Sequence, residues 1–199
     1  MRNHKRATAT QRRRRGPGQA MVEFALVILP FMVLVVAIAE FAFLLTVKTG
    51  ITYASQDATQ LAAELGGTPD ADVYILAQIE KDVQTPVDKT KITGVTIFWT
   101  DLNGANKGAN TFTRTGTMQN EAKTVTVPYT QGSNNYPVSN RCTVILATGC
   151  APGHTGVDWI GVTITYTYQW VTPLPSLIGL SGSPPVFVET NTSRLEPQQ

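Results

Sequence analysis

No aspartate or glutamate occurs before Glu23, and the 199 residues hold only two histidines and two cysteines. That scarcity leaves little from which to build a zinc centre, which takes three or four such ligands. His4 falls in a basic leader. His154 and Asp158 flank a glycine-bearing stretch, Gly153 to Gly156, that reads as loop and not as a helix carrying two ligands on one face. A glycine-rich phosphate loop, a Gly-x-Ser-x-Gly elbow and a His-Glu-x-x-His helix are all missing. Asp101, Asn103 and Asn106 carry only part of a calcium loop. We therefore expect no catalytic residues, no metal and no cofactor, and read the chain as non-enzymatic.

What the first positions do have is positive charge. Arg2, Lys5, Arg6 and the run Arg12 to Arg15 are seven of the 16 basic residues. The rest of the chain has nine basic residues against 14 acidic ones, a net of −5, so the basic character belongs to the leader alone. A basic run directly against an apolar span is a topology signal before it is a nucleic-acid site, and no nucleic-acid partner is expected. From Phe24 to Val47 the chain is apolar except for Glu40 and Thr46. That is roughly 36 Å of helix, enough for a ~30 Å hydrocarbon core and longer than the apolar region of a signal peptide. The positive-inside rule orients it with the N-terminus cytoplasmic and the C-terminal domain outside the cell membrane. Outside the cytoplasm a disulfide is permitted, and Cys142 and Cys150 are expected to bridge, with a gain of roughly 2–3 kcal/mol for so short a loop.

Four segments follow from the patterning: a leader over 1–18, a transmembrane helix over 19–48 containing Pro30, an amphipathic helical segment over 49–83, and a β-rich domain over 84–199. Val47, Ile51, Ala54, Ala58, Leu61 and Leu65 recur at helical spacing, with Gln56, Asp57, Gln60 and Glu64 opposite and Gly66-Gly67 as a stop. The small residues of this stripe suit either a neighbouring chain or this chain's own sheet. A second helix is expected over Asp70–Asp82, with Val73, Leu76 and Ile79 on one face. Strands are expected over Lys91–Trp99, around Phe112, over Lys123–Val127, over Trp159–Trp170 and over Val186–Thr192. Asp101 to Gly104 reads as a turn, and Gln131 to Gly156 as one long loop. The strongest strand alternates Ile160, Val162, Ile164, Tyr166, Tyr168 and Trp170 against Gly161, Thr163, Thr165, Thr167 and Gln169. Its aromatic ladder reads as the core face of a half-buried antiparallel strand. Helices first and strands after them predict an α+β fold, a long N-terminal helix packed on a small antiparallel sheet.

Gly18-Gln19-Ala20-Met21-Val22-Glu23-Phe24 sits between the basic leader and the apolar run. A small residue, four spacers, a glutamate and an aromatic in that setting resemble the processing site of a type IV prepilin of the Flp class. The resemblance implies that an inner-membrane aspartic peptidase cuts between Gly18 and Gln19. It also implies that Glu23, with Phe24 beside it, acts in subunit assembly by pairing with the new α-amine of a neighbouring subunit. More narrowly, Gly18, Gln19, Val22, Glu23, Phe24, Ala25, Pro30, Glu40 and the alanine-rich Ala54–Ala63 stretch resemble the TadE-like family, minor pseudopilins of the tight-adherence system that assembles Flp pili. The tyrosine-rich strand, Pro173-Leu174 with Leu177, and Arg194 with Glu196 are also similar to family members. Where the family often has Leu-Gly-Arg after the mid-helix glutamate, this chain has Phe41-Ala42-Phe43, so no arginine stands beside Glu40; lying near the outer half of the expected span, Glu40 could instead snorkel.

The resemblance implies a pilin-like fold, a prepilin peptidase, other pilin and pseudopilin subunits and the Tad inner-membrane machinery as partners, with membrane lipid around the helix. The competing reading is a signal-anchored extracellular binding domain with no role in a pilus. An extracellular hydrolase has no residue constellation in its favour.

Overall fold

The computed structural model describes residues 17–84, 86–101, 105–145, 150, 152–177, 179 and 184–197. The expected leader up to position 16 and the tip of the turn at 102–104 lie outside the described residues. The chain divides into two compact units, 1–39 and 40–199. Helix α1, Pro17–Leu65, contributes to both.

In the first unit the described part is helix throughout, with Pro30 inside it. Its large side chains point outward: Phe24 and Leu29 are exposed by more than three fifths, and so are Met21, Leu26 and Ile38. A helix that is apolar all round and left uncovered by the other described residues has lipid or another protein as its natural surroundings. It is long and apolar enough to cross a membrane.

The second unit is α+β. After the remainder of α1 come α2 (Ala71–Asp82), β1 (Ile92–Thr100), β2 (Asn106–Thr113), β3 (Met118–Gln119), β4 (Thr126–Val127), β5 (Thr130–Asn134), β6 (Trp159–Thr167), the single turn α3 (Leu174–Leu177) and β7 (Val186–Arg194). Five strands form an antiparallel sheet in the order β5-β2-β1-β6-β7, and β3 pairs with β4 apart from it. Register follows from burial. Val95 faces Ile164, Ile97 faces Val162 and Trp99 faces Ile160, which keeps one row of apolar side chains on one face. That row joins Ile51, Ala54, Ala58 and Ala62 of α1 and Ile75, Leu76 and Ile79 of α2 in a single core. The alanines therefore serve close approach of α1 to the chain's own sheet. The approach is close enough for Ser55 Oγ to donate to the Val162 carbonyl at 3.0 Å and Thr59 Oγ1 to the Asn191 carbonyl at 3.3 Å.

Three expectations are corrected. The buried stripe of α1 does not run through Leu61, and Leu65 packs against the core only partly buried. The stripe passes to Ala62 and Ala63, because two hydroxyl residues, Ser55 and Thr59, join the buried face and centre it differently. The strand expected over Lys123–Val127 shrinks to Thr126–Val127. Lys123 adopts a left-handed backbone (φ 53), and the Asn120 side-chain oxygen takes the amides of Thr124 and Val125, so the segment is a turn bonded to its own side chain. The supposed long loop from Gln131 contains most of β5. Those residues do not alternate, and they pair with β2, Thr130 against Thr113 and Gln131 against Phe112, with Ser133 bonded across to the Thr111 hydroxyl and the Ala109 carbonyl.

Phe98, on the face of β1 away from the helices, covers Gly161 of β6, its cross-strand partner. A Cβ at Gly161 would come within 2.3 Å of that ring. Gly161→Ala should lower the free energy of unfolding by about 1–3 kcal/mol in urea titrations, the usual range for overpacking. Unchanged stability would mean the ring does not lie over the glycine.

Candidate functional site

Residues singled out by sequence fall into three places. The first is the start of α1. Gly18, Gln19, Glu23 and Phe24 are all exposed. Gln19 Nε2 donates to Glu23 Oε1 at 3.1 Å, one helical turn on. A Cβ built on Gly18 meets nothing within 4 Å, so the chain's own packing does not demand glycine there. The positions implied as processing and assembly residues are thus presented outward, with no tertiary partner among the described residues.

The second place is Glu40. The sequence puts it in the expected span, but the structure puts it in the second unit, 5% exposed and fully bonded. The strand expected to run to Trp170 ends at Thr167, and just beyond it Tyr168 Oη donates to Glu40 Oε1 at 2.8 Å. The chain then turns and aims two amides at the same carboxylate: Val171 N to Oε1 at 3.0 Å and Thr172 N to Oε2 at 2.8 Å. A buried carboxylate without partners would be costly by several kcal/mol. Here both oxygens are satisfied by groups from the far end of the sequence, so no lysine or arginine is needed. Tyr168 is held by its neighbours, edge-on to Trp170 at 5.5 Å and tilted against Phe187 at 6.1 Å. Burial, and then the Glu40 carboxylate, push its phenol above the ordinary tyrosine value.

The third place surrounds the disulfide. Cys142 and Cys150 are bonded, with Cα atoms 5.3 Å apart. Asp158 organises the surroundings. Its Oδ2 accepts from Tyr136 Oη and from the Cys142 amide, each at 2.9 Å, and its Oδ1 faces His154 Nδ1. Its own amide donates to the Cys142 carbonyl, and its carbonyl receives the Leu195 amide. The His154 ring stacks on Trp99 at 4.1 Å. The His154–Asp158 pair is therefore built into the scaffold, and no cluster of three metal-ligating side chains exists among the described residues. The network continues inward. Tyr136 N donates to Asn110 Oδ1, Asn110 Nδ2 donates to Asp72, and Asp72 pairs with Arg141, whose guanidinium lies over the Tyr136 ring.

Sequence reading missed this network and the partners of Glu40. The signal that was available is a buried-type alternation running on through Tyr168 opposite a lone helical acid.

Residues 18–60 match the family model described as TadE-like protein. The match ends before the first strand of the sheet. No curated protein and no solved structure matches the chain.

Two outcomes are expected. Glu40→Ala should destabilise the second unit by about 3 kcal/mol, the cost of removing a charged acceptor from three donors, and should accelerate hydrogen exchange at the Val171 and Thr172 amides. Separately, burial raises the phenols of Tyr129, Tyr136 and Tyr168 above their ordinary value of 10.0. The unfolded chain then ionises first, so stability is full below pH ~10 and falls as pH rises beyond it. Following tyrosinate absorbance together with circular dichroism should show ionisation of these three only as the fold is lost.

Proposed function

Taking residues 18–60 as a TadE-like segment, we propose that the chain is a membrane-anchored pseudopilin of tight-adherence (Flp) pilus assembly. A prepilin peptidase cuts it between Gly18 and Gln19, and it acts through contacts with other subunits and not as an enzyme. One observation carries this reading: the Gly18 to Glu23 box opens an apolar helix whose surface the chain's own fold leaves uncovered. An open Gly18 supports recognition by another protein, since no described residue comes within 4 Å of a Cβ there. Cleavage removes the seven-charge leader that holds the helix N-terminus at the cytoplasmic face. It also creates a positive α-amine in reach of a neighbouring subunit's Glu23. Among the described residues Glu23 is bonded to the neutral Gln19 amide, so a cationic partner is still wanted in a low-dielectric setting.

The bonded Glu40 favours a shorter span than composition suggests. Gln19 to Ala39 gives roughly 31 Å of helix, close to the ~30 Å hydrocarbon thickness. Glu40 then stands at the outer boundary and not at mid-membrane. The basic leader supports an N-in, C-out orientation, with the α+β domain and its disulfide outside the cytoplasm.

N-terminal sequencing of the protein extracted from cell membranes should read from Gln19; a functional chain that retains Met1 and its arginines contradicts the proposal. A Glu23→Ala variant should be processed normally yet leave piliation strongly reduced. Unchanged piliation would remove Glu23 from subunit assembly.

A further inference from the structure

Past Glu40, helix α1 has two unlike sides. Glu40, Leu44, Val47 and Ile51 face the domain, buried or partly so. The other side exposes Phe41 (61%), Phe43 and Leu45 and only then turns polar, at Thr46, Lys48 and Thr49. From Glu40 to Thr46 is about 9 Å along the helix. The headgroup layer on each side is about 5–8 Å deep, since the core of ~30 Å sits in a bilayer of ~40–45 Å, so it takes up most of that length. So on the reading that the span ends near Ala39, the turn of helix beyond it lies at headgroup depth.

The hydrogen bonds of Glu40 then fix a second segment at that depth. Val171 and Thr172 cannot leave the level of Glu40 while their amides bond its carboxylate. Val171 points outward, 61% exposed. Trp170 beside it is half-buried against Tyr168. Lys91 lies by Trp170 on the rim of a small cleft, along with Asp88. A half-buried indole, an outward aliphatic tip and a lysine around one cleft have the composition of a membrane-interface contact. Water offers nothing to Phe41, Phe43, Leu45 and Val171 together. The lipid that already surrounds the helix does, by plain continuity.

We propose that the turn Trp170–Thr172, with Phe41, Phe43 and Leu45 of α1, is a lipid-contacting surface that seats the domain in the phospholipid headgroup layer on its own side of the membrane. This proposal rests on the shorter span proposed above. Its consequence is mechanical. Glu40 keeps the exposed turn of α1 after it and the segment Trp170–Thr172 together as one lipid-facing surface.

Three tryptophans make the test internal to the unaltered chain. Trp99 and Trp159 sit at one end of the β1–β6 pair, and Trp170 follows the other end. Nine residues of β6 separate the ends by about 26–30 Å. The full chain is labelled with fluorotryptophan and reconstituted in phospholipid vesicles containing a headgroup-spin-labelled lipid, with each resonance assigned from its Trp→Phe variant. The proposal expects loss of most of the Trp170 signal, with Trp99 and Trp159 unchanged. If all three persist, or all three vanish, the lipid-contact surface is wrong; a Trp170 shielded from both lipid and aqueous probes would point to a protein neighbour in its place. Alkaline carbonate extraction of the same vesicles separates the two readings. A chain that stays in the bilayer with Trp170 unaffected overturns this surface and leaves the span standing, and a chain that washes off overturns both.

Discussion

A single carboxylate joins the two kinds of chemistry in this chain. Glu40 lies on the helix that begins as a lipid-type apolar rod, and its oxygens are taken up by the turn that closes the strongest strand of the sheet. An acid in an apolar helix is expensive unless something satisfies it. Here the satisfaction comes from Tyr168 and two backbone amides, so the helix can carry the charge only when the domain is folded around it. That dependence makes Glu40 a fastener between the helix and the C-terminal half of the chain, more than a hundred residues away in sequence.

The remaining structure is arranged to hold the fastener's other half. Tyr168 stands just past the end of β6, which is paired on both sides, to β1 and to β7. The helix is pulled onto that sheet by alanines and by two hydroxyls bonded to strand carbonyls. At the other end of β6, Asp158 binds the disulfide segment, Tyr136 and His154, and the buried Asp72–Arg141 pair continues the network to α2. Glu80, with Arg114 bidentate on it and Tyr129 on one of its oxygens, ties α2 to the β2 side in the same manner. Each of these acids is matched by several donors, as burial of charge requires.

How much of this could be read from the residues depended on whether the signal was local. The period of two from Ile160 to Tyr168 and the apolar helix were plain, because each pattern is complete within a few residues. The stripe of α1 was read one position off at its end, since Ser55 and Thr59 do not look like core residues until strand carbonyls are placed beside them. Strand β5 carries no pattern of its own; the register of β2 creates it. The strand expected over Lys123–Val127 is strand only at Thr126–Val127: threonine and valine favour β structure, while the Asn120 side chain captures the amides of Thr124 and Val125 that a strand would need. The outward box at Gly18–Glu23 was legible because its meaning lies in its spacing and setting. The Glu40 site was legible only as an anomaly: the acid stood out, but its donors lie 128 to 132 positions away.

The carboxylate contact can be observed directly. In the full chain reconstituted in bilayers, a solid-state rotational-echo measurement between the Glu40 side-chain carboxyl carbon and the Thr172 backbone nitrogen reports their separation without any substitution. Strong dephasing, as a hydrogen bond with an oxygen–nitrogen distance of 2.8 Å requires, is the predicted result. No dephasing, with the carboxyl instead close to lipid or to another chain, would contradict the view that this acid belongs to its own domain.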